Sequence, residues 1–155
     1  AQRVHRVIAV DPSSAMLQEA RKAITQQGFE GMVDFRAGEL DALPLRDGEV
    51  DAIFANLVLH HLADFSVAVQ EIARTLKPGG TVVITDLEPH QEEWMREEMG
   101  DLRLGIDSSE VIEAFRQGAF LDVEEIQVED RYRMKSARGH LAKLDLFMVR
   151  ATKKA

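Results

Sequence analysis

The chain has 155 residues, 45% of them hydrophobic and 30% charged, with a formal net charge of −8 and no cysteine. That length suits one domain with its own core, and the lack of cysteine excludes disulfides and thiolate metal sites. The acidic balance argues against a nucleic-acid partner, and no apolar run reaches the length of a membrane span.

In chain order the pattern is an alternation of short apolar runs with helical stretches. The opening, AQRVHRVIAV, lacks the layout of a signal peptide, and the lack of cysteine fits a reducing cytosol, so a cytoplasmic protein is expected. Val4 to Val10 is rich in β-branched residues and ends in Asp11-Pro12, which predicts a buried strand. Ser13 suits the N-cap of a helix that carries Met16, Ala20, Ala23 and Ile24 and stops at Gly28. Val33 to Ala37 predicts a second strand, closed by Gly38. After a loop with Pro44 and Asp47-Gly48, Val50 to Ala55 predicts a third, running into Asn56. Asp64 is placed to cap a helix whose apolar face is Phe65, Ala68, Val69, Ile72, Ala73 and Leu76. Lys77-Pro78-Gly79-Gly80 reads as its stop, followed by a strand over Thr81 to Thr85. Gln91 to Met99 predicts a helix of mixed pattern, and Ser108 the cap of another that ends at Gly118. Leu121 to Val128 and Leu144 to Ala151 predict the last strands, with a polar segment, Glu129 to Lys143, between them. Strands alternating with helices predict a mostly parallel sheet with helices on both faces. The last two strands lack a crossover and are expected to be antiparallel.

In such sheets ligands bind beyond the carboxyl ends of the strands. That directs attention to Asp11, Glu39, Asn56 with His60 and His61, and Asp86. A carboxylate at the position of Asp11 can accept both hydroxyls of a ribose, or it can serve the adjacent helix as a cap. Gly38-Glu39 can set an acceptor beside an adenine amino group, or form an ordinary turn. His60 and His61, if extended, point to opposite faces, which disfavours a shared metal ion, and no metal is expected. Either can contact a substrate, act as a base, or pack at a strand end. Trp94, the lone tryptophan, is expected in the core or on the wall of a substrate pocket, and the Met16, Leu17, Ala20 stripe in the core.

These residues also carry a resemblance. VIAVDPSSAMLQEARKAI resembles the second strand and following helix of class I, Rossmann-like S-adenosylmethionine-dependent methyltransferases. FRAGELDALPLRDGEVDAIFANLVLHHL resembles their adenine loop and fourth strand, EIARTLKPGGTVVITDLEPH their proline-glycine turn and fifth strand, and GAFLDVEEI their sixth. HQEEWMREEMGDLRLGID resembles the methyltransferase part of ArsR-fused regulators. The resemblance implies an S-adenosylmethionine-dependent methyltransferase with a small-molecule acceptor. Asp11 would hold the ribose of the cofactor, near Met16. Glu39 and Leu40 would flank the adenine, where the family more often has Asp in place of Glu39. Asn56 and Leu57 would lie along the methionine end, and His60, His61, Asp86 and Trp94 on the acceptor side, with His60, His61 and Asp86 the candidates for a base.

One departure is large. The family's first strand and GxGxG loop do not occur in the sequence. Residues 1–155 are therefore expected to be a single, incomplete methyltransferase domain, either a fragment of a longer protein or one in which the two orphaned strands pair directly or another chain fills the gap. The strands flanking the missing one would expose unpaired edges, which favours a homodimer. Two rivals stand beside this reading: a degenerate, non-catalytic binding or interaction module, and a nicotinamide dehydrogenase, since an acid after the second strand also suits NAD. The LKPGG turn and the antiparallel final pair argue against the dehydrogenase.

Overall fold

The computed structural model describes residues 4–155, and the chain divides into two compact units, Ala1–Leu45 and Arg46–Ala155. In the first unit, β1 (Val7–Asp11) and β2 (Val33–Ala37) pair in parallel, in register from Val7 opposite Val33 to Asp11 opposite Ala37. Helix α1 (Ser14–Gln26) makes the crossover that parallel neighbours require. Its start is written in the sequence: Ser13 is the N-cap, and its hydroxyl accepts the Met16 N–H at 3.3 Å. The Met16, Leu17, Ala20 stripe is not the core expected of it. Met16 is 60% exposed, and no residue of α1 is fully buried.

The second unit holds β3 (Val50–Asn56), α2 (Ser66–Thr75), β4 (Leu76–Leu87), α3 (Trp94–Met99), α4 (Ser108–Gln117), β5 (Phe120–Lys135) and β6 (Leu141–Lys153). Its sheet has the order β3-β4-β6-β5. β3 and β4 are parallel, and β6 runs antiparallel to both β4 and β5. The α/β class and the antiparallel final pair are as expected. Among the described residues, β1 is hydrogen-bonded only to β2, and β3 only to β4.

The core forms where alternating strand residues meet the apolar helix faces. Val82 and Ile84 of β4, and Phe147 and Val149 of β6, are buried with Ile72 of α2 and Val111 and Phe115 of α4. The expected face of α2 is buried at Phe65, Ala68, Val69, Ile72 and Leu76. Phe115 meets Phe120 edge-on, with ring centroids 4.8 Å apart. Such aromatic pairs add roughly 0.5–1.5 kcal/mol beyond area burial.

Local signals set most boundaries, and the exceptions have physical reasons. Asp64 accepts the Ser66 N–H at 2.8 Å just ahead of α2, but the N-cap position falls on Phe65, whose side chain makes no capping bond, so the cap expected at Asp64 is displaced by one residue. Asp107, not Ser108, is the N-cap of α4, because its carboxylate reaches the Ser109 N–H at 2.9 Å. The Lys77–Gly80 segment is not a turn ahead of β4 but an irregularity within it. Leu76 already pairs with Val50 and Thr81 with Ala52, so β4 carries extra residues between the two pairings. The polar stretch after Val128 completes a long hairpin, with β5 paired to β6 as far as Lys135 opposite Leu141. Charged Arg131, Arg133 and Lys135 are exposed there and alternate with half-buried Tyr132 and Met134.

Candidate functional site

The carboxyl ends of the parallel strands carry most of the expected residues. In the first unit, the Gly38 N–H donates to the Asp11 carbonyl at 3.3 Å, so the ends of β1 and β2 stay joined just before Glu39. Asp11 is half-buried, and its Oδ1 accepts the Ser13 N–H at 2.7 Å. It thus shapes the entry to α1, while Ser13 supplies the cap. An ionised carboxylate has about four acceptor positions, so this bond leaves capacity for a diol. Glu39 is exposed and bridges to Ala42 in a tight loop, and Leu40 beside it is half-buried.

In the second unit, Asn56 ends β3 opposite Thr85 and is exposed. Leu57 follows with φ 55°, a left-handed conformation that strains a non-glycine residue, and its N–H donates to the Thr85 carbonyl at 2.8 Å. That reversal ends the strand. Leu59–His61 then forms one turn of 3₁₀ helix, so the expectation of extended histidines facing opposite ways is not met. The two imidazoles face each other, with ring centroids 4.2 Å apart at a tilt of 50°.

Asp86 explains the turn. It lies fully buried at the end of β4. Its Oδ2 accepts the Leu59 N–H at 2.8 Å and the His60 N–H at 3.3 Å. Its Oδ1 accepts the Leu87 N–H at 2.8 Å and sits 2.5 Å from His60 Nδ1. One carboxylate therefore holds the backbone of the turn and the ring of His60. With Nδ1 engaged, His60 presents Nε2 to a cavity of about 160 Å³ lined by Leu57, His61, Leu87, Met95, Asp101 and Tyr132, among others.

Asp101 was given no role from the sequence. Gly100 (φ 76°) closes α3 in the left-handed conformation that glycine adopts freely, and its N–H donates to the Met95 carbonyl. The chain turns there and brings Asp101 under the histidines. Asp101 Oδ1 lies 3.6 Å from His60 Nε2 and 3.9 Å from His61 Nδ1. Asp101 is buried, and among the described residues neither of its carboxylate oxygens has a hydrogen-bond partner. The only signal in the sequence was an acid following a glycine, which is ordinary turn chemistry.

Electrostatics at the site follow burial and charge. Burial pulls the His60 imidazole down, but the Asp86 hydrogen bond and the charges of Asp86 and Asp101 outweigh it and leave it above its ordinary value. Burial, then the Asp101 charge, pushes the Tyr132 phenol up. Trp94 lies along a separate hollow with Ser136 and His140, donates Nε1–H to Glu92 at 2.6 Å, and packs on the cluster of Leu87, Met95, Ala142 and Leu144.

Glu88, just past Asp86, is held above the usual carboxylate range by burial first, then by Glu125, Asp107 and Asp145. An acid with a raised folded-state pKa destabilises the fold once it ionises, and the penalty disappears as pH falls back through that pKa. The substitution Glu88→Gln is expected to raise Tm by about 2 °C near pH 7.5 and to leave it unchanged near pH ~4. Thermal unfolding of the two proteins at both pH values checks this.

Residues 1–84 match the family model described as a methyltransferase domain. Over 127 residues, 82% of this chain and 42% of the relative, the sequence is 30% identical to the malonyl-[acyl-carrier protein] O-methyltransferase of Yersinia pestis. Over 90 residues, 58% of this chain and 36% of the relative, it is 30% identical to the ubiquinone/menaquinone biosynthesis C-methyltransferase UbiE of Shewanella sp.. The chain spans less than half the length of these curated relatives. The fold matches the crystal structure of the YcgJ protein from Bacillus subtilis with a TM-score of 0.76 at 18% identity, covering 97% of this chain and 83% of that one. No helix of the described residues is long and apolar enough to cross a membrane.

Proposed function

Since the chain belongs to the methyltransferase domain family, we propose that it serves S-adenosylmethionine-dependent methyl transfer to a small-molecule acceptor. The observation that carries this reading is the family match, which takes in both the Asp11–Leu40 and the Asn56–His61 segments. When bound, the cofactor supplies a methyl group already activated on a sulfonium. The chain's own task is then to bind, orient and exclude water, which is catalysis by proximity.

The Asp11 carboxylate is assigned to the ribose hydroxyls, with Met16 beside it. Glu39 and Leu40 are assigned to the edge and face of the adenine, and Asn56 and Leu57 to the methionine end. His60 and His61 front the cavity and are assigned to the acceptor. Asp86 is fully buried and bonded to His60, so it acts through that imidazole as a positioning residue and not as a base of its own.

The test is calorimetric titration of the full-length protein with S-adenosylhomocysteine and with NADH. S-adenosylhomocysteine is expected to bind and NADH not. Replacing Asp11 by Ala is expected to weaken binding by about tenfold to a hundredfold, the range for hydrogen bonds to a charged acceptor. Unchanged affinity in that variant would remove Asp11 from the site. Binding of NADH alone would replace the methyltransferase reading with a dehydrogenase. Binding of neither would leave a non-catalytic module.

A further inference from the structure

We propose that His60, His61 and Asp101 bind one divalent transition-metal ion, of the zinc, cobalt or iron(II) kind, in the cavity assigned above to the acceptor. The ligand-atom geometry is the first argument. One oxygen of Asp101 faces His60 Nε2 at 3.6 Å and His61 Nδ1 at 3.9 Å, and one ligand atom from each of the three residues falls within 4.8 Å of the others. Those separations are too long for hydrogen bonds. The two Asp101–imidazole distances suit donors that share an ion about 2 Å from each, which places the donors about 3–4 Å apart.

The second argument is independent of the first. Asp101 is 3% exposed, and among the described residues neither carboxylate oxygen has a hydrogen-bond partner. A buried carboxylate without a hydrogen bond is costly, and native folds bond such groups or give them a metal. The third is the outer shell. His60 is held through Nδ1 by Asp86, the carboxylate–histidine arrangement that fixes ring orientation and leaves Nε2 as the ligand.

The donor set chooses the ion. Two imidazole nitrogens and one carboxylate suit zinc and its neighbours, whereas magnesium and calcium prefer oxygen. Three protein ligands leave a coordination position open towards the cavity, as in catalytic sites. His61 is the half-exposed member, with 44% of its side chain accessible, and supplies the route by which an ion enters. This deepens the functional reading and rests on it in one respect: the acceptor class is a small molecule with an oxygen, nitrogen or sulfur donor that completes the coordination.

The test uses metal-stripped full-length protein titrated with Co²⁺ and followed by visible d–d absorption, then by displacement with Zn²⁺. One Co²⁺ per chain is expected, displaced by Zn²⁺ and not by Mg²⁺. His61→Ala and Asp101→Asn are each expected to weaken uptake by about a hundredfold or more, at or beyond the upper end of the effect of losing an outer-shell partner. Asp101→Asn removes a buried charge that makes no hydrogen bond, without changing shape, so the fold should survive, and far-ultraviolet circular dichroism checks that it does. No uptake by the folded wild type, uptake by both variants as tight as that of the wild type, or equal competition by Mg²⁺ would overturn the proposal. Titration with S-adenosylhomocysteine on the same samples separates the two readings. Its binding without Co²⁺ uptake removes only the metal, and Co²⁺ uptake without its binding removes only the methyltransferase assignment.

Discussion

Replacing Asp86 by Ala lowers the unfolding free energy by about 3–5 kcal/mol, the range for removing one member of a buried, hydrogen-bonded charge set. The carboxylate accepts from the backbone N–H groups of Leu59, His60 and Leu87 and meets His60 Nδ1. Without it those donors stay buried, because Leu59, His60 and Leu87 lie at 0%, 4% and 1% exposure and water cannot replace the acceptor. Asp86→Asn loses less: the amide oxygen keeps some of the bonds, while the NH₂ group is set against other donors. Urea unfolding of the three proteins, with m-values compared, measures the series. A loss under about 1 kcal/mol for the alanine variant would mean that the 3₁₀ turn does not depend on Asp86.

The second large effect is expected at Gly105. Its φ is +79°, and a Cβ built there would lie 2.1 Å from the Glu88 carbonyl oxygen and 2.8 Å from the Pro89 Cα. Both obstacles are backbone and cannot rotate away. The approach is enforced on either side, since the Ile106 N–H donates to the Leu87 carbonyl at 2.8 Å and the His90 N–H to the Leu104 carbonyl at 3.0 Å. Gly105→Ala is therefore expected to cost roughly 3 kcal/mol or more, from a left-handed alanine plus a displaced loop. Gly100 provides the control. It has a similar φ of 76°, but a methyl group added there would meet nothing within 4 Å, so its alanine variant should lose only about 1–2 kcal/mol. Equal losses at the two positions, measured by the same urea series, would mean that the contact with Glu88 is relieved without penalty.

The two effects share a cause. The stretch from Leu87 to Ile106 is held down by short-range contacts with the end of β4, and it carries Asp101 to the histidines. Changes at Gly105 are thus expected to disturb the cavity as well as the fold.

By itself the sequence determined the features that depend on neighbours along the chain. Ser13 acts at the helix start expected of it, because its side chain reaches a backbone N–H group only three residues away. β2 runs over Val33–Ala37 and β3 from Val50, because apolar, β-branched runs bounded by turn residues have few other uses. The residues at those strand ends followed from the same local reading. Tertiary structure alone decided the rest. His60 and His61 face each other because Asp86, far along the chain, captures the turn between them. Asp101 joins them because Gly100 reverses the chain after α3. Burial and partnership are properties of three-dimensional neighbours, and nothing in the order of residues around Asp101 states that its carboxylate ends up beneath two imidazoles.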